Sequence, residues 1–462
     1  MRFNTAIISL VALISCQAFQ IPQHVINSNL IRTIDLTGSA VQETVAVAII
    51  NQHTEPVNEY IVAIPSQVKP HLSYITAKDK KTSTPLQISV GQYDPESQSF
   101  YYKIDFAAPL PPKEKLVAII NLSYSHVLTP FPAEVPQNGK PLYLYESNVY
   151  IYSPYHTEKQ KTNIKLPQGS IESYTKHPEP VEAKGNKLTY GPFTPQKPYA
   201  YSPLKVHFEK TLPILTLTNV RREIEVSHLG GNLAIEEHQN IRHDGAKLKG
   251  FFSRLDFQRA VMYQQNPPSA LFSLKTAFPP SASDVYFRDE IGNVSTSRYV
   301  SSKDSFFLDM RPRYPIFGGW NYTWYHGYNL PLQEHLKVDN GRYHLKVPFV
   351  GPINDAVMDD VEVRIILPEG AENVQLSLPF DIDSVEHSTH HTYFDTTGRY
   401  VLILKKKNVV IEHVQNILVS YDYPTIRLLQ KPFAASAFFL VAFMLSMIVS
   451  RTEFFISKKK TA

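Results

Sequence analysis

Between Lys431 and Arg451 the chain carries no charge, so Pro432 to Ser450 is a 19-residue apolar run. At 1.5 Å per residue a helix of that length spans roughly 28 Å, close to the hydrocarbon core of a bilayer. A buried core helix is the alternative, but nearly all of the sequence lies before this run and only twelve polar-ended residues follow it. The spacing therefore predicts a membrane span. Arg451, Lys458, Lys459 and Lys460 follow it, a cationic flank that fits the cytosolic side of a membrane protein.

The amino end agrees with that orientation. Arg2 precedes an apolar stretch from Ala6 to Ile14, and Cys16-Gln17-Ala18 places small residues before a cut after Ala18. This pattern predicts a secretory signal peptide over residues 1–18, with the bulk of the chain on the luminal side. Lys459 and Lys460 then stand fourth and third from the carboxyl end. That spacing resembles a dilysine retrieval signal of the endoplasmic reticulum, although the same lysines also serve topology and contact with anionic headgroups.

Roughly 410 residues lie between signal and span, enough for two or three domains with cores of their own. The sole cysteine, Cys16, falls within the signal, so disulfides, thiolate metal sites and cysteine nucleophiles are excluded from the mature chain. A net charge of +4 without a basic block argues against nucleic acid as a partner. Prolines (35) outnumber glycines (18), and 27 tyrosines and 25 phenylalanines suit β-sheets joined by rigid turns. Three N-x-S/T sequons begin at Asn121, Asn293 and Asn321, all acceptor candidates on the expected luminal side.

Apolar–polar alternation predicts strands in "TVAVAII", "EYIVAI", "FYYKIDF", "KLVAIINLSYS" and "PLYLYESNVYIYS" before residue 153. A second series includes "PILTLTNVRREIEVS", "GRYHLKVPFV", "DVEVRIILP", "RYVLILKK" and "NILVSYDY". Between them, "YGPFTPQKPYAYS" (190–202) has three prolines, which predicts a break in regular structure before a boundary near 205–212. The two series open alike. "NLIRTIDLT" (29–37) and "NVRREIEVS" (219–227) share Asn, Arg, Ile, an acid, an aliphatic and a hydroxyl in register, which suggests one β-unit used twice. The expected architecture is mainly β: two tandem β-sandwich-like luminal domains (19–208 and 209–430), a single transmembrane helix (431–451) and a short tail (452–462).

Chemistry-bearing motifs are scarce. GxSxG, HExxH, P-loop and GxGxxG patterns do not occur. His238 and His243 lie near Glu236, Glu237 and Asp244, while His387, His390 and His391 follow Asp381 and Asp383. Neither spacing matches a metal site, and His238 and His243 would face opposite sides of a strand. Both groups read as surface-loop histidines. The acid pairs Asp289-Glu290 and Asp359-Asp360 read as solvated turns. The aromatic run around Gly318-Gly319 is either an exposed partner surface or core. Small residues in the span, from Ala434 to Ala437 with Ala442 and Ser446, permit close helix packing, though lipid-facing Phe and Leu explain the segment equally well.

Three passages resemble a known family. "FSRLDFQR" (252–259), "DVYFRDEIGNVSTS" (284–297) and "RPRYPIFGGWNYTWYHGYNLP" (311–331) are similar to signature segments of the ribophorin I family, the alpha subunits of the oligosaccharyltransferase complex. "RIILPEGA" (364–371) and the stretch from Tyr393 to Tyr423 continue the likeness in order. The resemblance implies a non-catalytic role in transfer of a preassembled glycan from dolichyl diphosphate to asparagine. Catalysis would lie on a different, multi-spanning subunit, so no catalytic residue, metal or cofactor is carried over. Implied partners are the other subunits, the endoplasmic reticulum membrane, and the nascent polypeptide and translocon. Within the shared string, Asn293 resembles a glycan acceptor of the family. The twelve residues after Ser450 are similar to the short fungal-type ending. Two other readings remain at this point: a cargo receptor or chaperone adaptor, and a luminal hydrolase working through paired carboxylates.

Overall fold

The computed structural model describes residues 21–22, 24–263, 269–301, 306–351, 355–393 and 395–452. Two buried clusters of apolar side chains divide it. The first runs from Val25 to Ile214 and the second from Leu215 to Tyr423, so the change of core falls between adjacent residues.

The centre of the first half is β1 (Val25–Asp35), β2 (Val41–Asn51), β3 (Lys115–Tyr124), β4 (Gln160–Lys165) and β5 (Lys187–Phe193). They lie in the order β5-β4-β1-β2-β3 within a ten-stranded sheet. The pairing of β1 with β4 is parallel, and the other three contacts are antiparallel. The second half repeats this plan with β6 (Leu215–Ser227), β7 (Asn232–His243), β8 (Asn321–Pro331), β9 (Ala356–Ile366) and β10 (Arg399–Val409). Their order is β10-β9-β6-β7-β8 within an eight-stranded sheet, with β6 and β9 parallel and the rest antiparallel.

The correspondence extends to an irregularity. The register of β1 against β2 slips between Asn27 and Asn29, and that of β6 against β7 between Leu217 and Asn219. At each slip the extra residue carries a hydroxyl that donates to the partner strand. Ser28 Oγ reaches the Ala48 carbonyl at 3.1 Å, and Thr218 Oγ1 reaches the Asn240 carbonyl at 3.2 Å. A β-bulge is a specific backbone device. Its recurrence one residue before the shared string in both halves carries the repeat well beyond nine similar letters.

Each large sheet shares its core with a four-stranded sheet, which makes two sandwiches. Tyr143, Val206 and Phe208 of the smaller first sheet are buried with Leu30 and Ile34. Leu345, Val347, Val419 and Tyr421 do the same opposite Val220 and Val363. In β7 burial alternates along the strand, as one buried face requires. The helices are α1 (Arg254–Met262), the single turn α2 (Leu332–His335) and α3 (Gln430–Arg451). With its preceding turn, α3 forms a 27-residue segment, Thr425–Arg451, apolar enough to cross a membrane.

Two local expectations need correction. The proline-rich stretch from 190 does not end regular structure at once, because β5 continues through Pro192 to Phe193. The β4–β5 register slips between Gln160 and Thr162, and that bulge absorbs a residue unable to donate to the ladder. In "PLYLYESNVYIYS" only Leu142–Asn148 is strand.

Candidate functional site

The three sequons occupy different settings. Asn293 is exposed in the hairpin after the strand Ser283–Asp289, and its Oδ1 accepts from Arg288 Nε at 2.9 Å. Asn321 is exposed at the first residue of β8. One strap joins these two places: the Arg313 guanidinium pairs with Asp289 and donates to the Asn293 carbonyl at 3.1 Å, while Tyr314 Oη donates to the Asn321 carbonyl at 3.0 Å. Asn121 instead lies half-buried in the middle of β3, accepting from Thr44 Oγ1 at 3.1 Å. The hydroxyl of its sequon, Ser123, is 3% exposed and donates to Glu412 of the second half. Ala18, Lys459 and Lys460 lie outside the described residues.

Four of the five histidines are on strands rather than in loops, and His391 directly follows one. His238 and His243 both belong to β7; His238 is exposed beside Glu236, and His243 is buried, with burial lowering its pKa to about 4. His387 and His390 lie on the exposed strand Ser384–His390. Among the described residues no group of three or more His, Asp or Glu could hold a metal ion.

The acid pairs are not simple solvated turns either. Asp289 is buried; Arg313 and Tyr322 hydrogen-bond its carboxylate and hold its pKa down to about 2, although burial works the other way. Glu290 points to solvent. Asp359 and Asp360 belong to β9, and Asp359 accepts from His126 Nε2 of the first half at 2.7 Å. In each pair one carboxylate is thus already engaged, Asp289 by the Arg313 guanidinium and Asp359 by the His126 ring.

The aromatic run around Gly318-Gly319 divides along its length. Ile316, Tyr322 and Trp324 are buried in the second core, Phe317 is buried beside it against Phe252 and Trp320, and Tyr314 is exposed. Most of it is core, as expected for a strand at the centre of a sheet.

Sequence reasoning missed two arrangements. The first is a pair of buried ions. Arg32 makes a bidentate contact with Glu43 at 2.7 Å, and the matching Arg222 pairs with Glu237. The shared Arg of the nine-residue strings was the visible trace. The second is the clasp on the base of α3. Lys431 Nζ lies 2.6 Å from Asp395 and 3.3 Å from Thr392 Oγ1. The Asp395 side chain is shielded from solvent; burial would raise its pKa, but Lys431 and Thr392 outweigh that and hold it down to about 2. Gln430 contacts Thr396, whose backbone is tied to Glu369 at 2.7 Å.

Two β-sandwiches clasped to one long apolar helix define a single-span membrane protein. The family model for Ribophorin I matches residues 25–450, so the chain belongs to that family. It is 35% identical to dolichyl-diphosphooligosaccharide–protein glycosyltransferase subunit 1A of Arabidopsis thaliana over 97% of this chain and 73% of that protein. Subunit 1B of the same plant is 36% identical over 93% of both chains, and subunit 1 of Caenorhabditis elegans is 35% identical over 93% of this chain and 73% of its own. Among solved structures, leukotriene A4 hydrolase of Saccharomyces cerevisiae overlaps 40% of this chain and 29% of its own at 10% identity and a TM-score of 0.28, too slight a likeness to compare folds.

Proposed function

We propose that this chain is a non-catalytic subunit of an oligosaccharyltransferase complex, supporting transfer of a preassembled glycan from dolichyl diphosphate to asparagine in N-x-S/T of nascent polypeptides. The observation that carries the reading is the family match across nearly the whole chain, together with relatives named as subunit 1 of that transferase. Catalysis is assigned to another subunit of the complex. The engagement of Asp289 by Arg313 and of Asp359 by His126 supports that assignment.

The chain sits in the endoplasmic reticulum membrane with both sandwiches luminal, divided between Ile214 and Leu215, and with residues after Arg451 cytosolic. Cleavage after Ala18 and retrieval through Lys459 and Lys460 belong to the same reading. Asn293 and Asn321 carry glycans on one end of the second sandwich. Glycan addition at Asn121 precedes folding, because Ser123 is inaccessible afterwards. Surfaces for the nascent polypeptide and the translocon lie on the same luminal side.

The test is purification through this chain in mild detergent, followed by its depletion. Co-purification of the transferase and under-occupied sequons on secretory proteins are expected; full occupancy after clean depletion overturns the reading. Mass spectrometry of the purified chain reports cleavage and glycan mass at each sequon.

A further inference from the structure

The apolar run from Pro432 to Ser450 accounts for roughly 28 Å, the hydrocarbon core alone. The segment from Thr425 to Arg451 has 27 residues, roughly 40 Å of helix, and so continues into the headgroup layer. Ile426 (75% exposed) and Leu429 (51%) occupy that extension, above Lys431 and in line with exposed Phe433. The neighbouring loop adds a third group. Thr392 touches the Lys431 ammonium, and its own N–H and hydroxyl donate to Asp395 at 2.7 Å, so the loop is fixed at the level of Lys431. Tyr393, next in sequence, turns outward and is 93% exposed.

These contacts decide the height of Tyr393. Lys431 is the last charge before the core, so its ammonium sits at the boundary between hydrocarbon and headgroups. A side chain one residue from a group touching that ammonium lies in the same layer. Tyrosine is suited to it, because its ring prefers the acyl boundary while its hydroxyl remains wet. In water, three large side chains exposed at one level around the base of the span would go unexplained.

We propose that Tyr393, Ile426 and Leu429 form an interfacial anchor, embedded in the lipid headgroup layer and locked to the span by Asp395–Lys431. The occupant is lipid rather than another protein, because Ile426 and Leu429 continue the surface of the span itself and Tyr393 is held at their level. The anchor rests on the reading of α3 as a membrane span. It fixes the second sandwich against the bilayer instead of leaving it to swing on a flexible stalk.

The test uses the full chain carrying Cys16→Ser, reconstituted into phosphatidylcholine nanodiscs, with one cysteine labelled by an environment-sensitive fluorophore. Tyr393→Cys reports the anchor, Phe443→Cys the middle of the span and Lys81→Cys an exposed hairpin of the first sandwich. Shallow spin-labelled lipids should quench the label at 393 several-fold more than at 81, and iodide should quench it less. Iodide quenching at 393 equal to that at 81, with 443 still quenched by lipid, overturns the anchor and leaves the span intact. Water at both 393 and 443 removes the span as well. A label at 393 shielded from both quenchers assigns the patch to a protein contact and overturns the lipid proposal.

Discussion

Arg32 and Arg222 stand at matched positions of β1 and β6, and both are withdrawn from water. A buried guanidinium is tolerable only beside an anion, and Glu43 and Glu237 supply it from the adjacent strand. Removing one partner strands the other, so Glu43→Ala and Glu237→Ala should each cost about 3–5 kcal/mol. Denaturant unfolding checks this; a loss below about 1 kcal/mol, the worth of a surface pair, would contradict the burial argument. The arginines were legible as a repeated letter. Their partners were not, because strand register, not sequence spacing, chooses which acid comes within reach, Glu237 directly opposite Arg222 and Glu43 diagonal to Arg32. Three buried histidines give a pH dependence. Burial lowers the pKa of His243 and His413 to about 4 and of His326 to about 3. Below about pH 6.5 the unfolded chain takes protons that the folded chain refuses, so stability falls as pH drops towards 4. The slope is at most about 1.4 kcal/mol per pH unit per histidine, and above pH 6.5 this contribution is flat. His326→Gln should lower the slope by one histidine's share in a pH series of denaturant midpoints.

Strand existence was the readily legible part of this chain. Alternation in "DVEVRIILP" and "RYVLILKK" marks β9 and β10 directly, because one buried face imposes period two. Strand ends and exceptions were harder, since the bulge beneath Pro192 depends on the neighbouring strand. The glycines of the aromatic run show the same limit. Gly318 bridges Lys247, and a Cβ there would collide with the backbone of Gly245 and Ala246. That segment in turn pairs Lys247 and Leu248 with Glu134 and Val135 of the first half. Gly318→Ala should therefore displace 245–248 and cost about 1–3 kcal/mol, the usual penalty of overpacking. Limited proteolysis should show faster cleavage near 245–250 in the variant. Unchanged cleavage and stability would mean that the segment has room that the geometry denies.

Contacts between the two sandwiches join residues hundreds of positions apart, which no reading of a single sequence could pair. Ser39 Oγ donates to the Asp355 carbonyl at 2.7 Å, and Gln42 and Ser123 both donate to Glu412. His126 is the titratable member of this seam. Asp359 lies 2.7 Å from one ring nitrogen and Asp244 lies 3.7 Å from the other, with Arg242 opposing them nearby. The hydrogen bond to Asp359 raises the His126 pKa, against partial burial. A raised folded-state pKa means that protonation favours the closed seam. Its contribution is complete below about pH 6.5 and disappears as pH rises through the raised value. This window lies above that of the buried histidines, so the two effects separate. Hydrogen exchange of amides around Ile214 and Asp244, corrected for intrinsic rates at each pH, should report opening that increases from pH 6.5 to 8. Asp359→Asn removes the charge that raises the pKa and should flatten this dependence while raising exchange at pH 6.5. If the variant keeps the wild-type slope, the seam is held by its neutral contacts, and His126 does not couple the halves to pH.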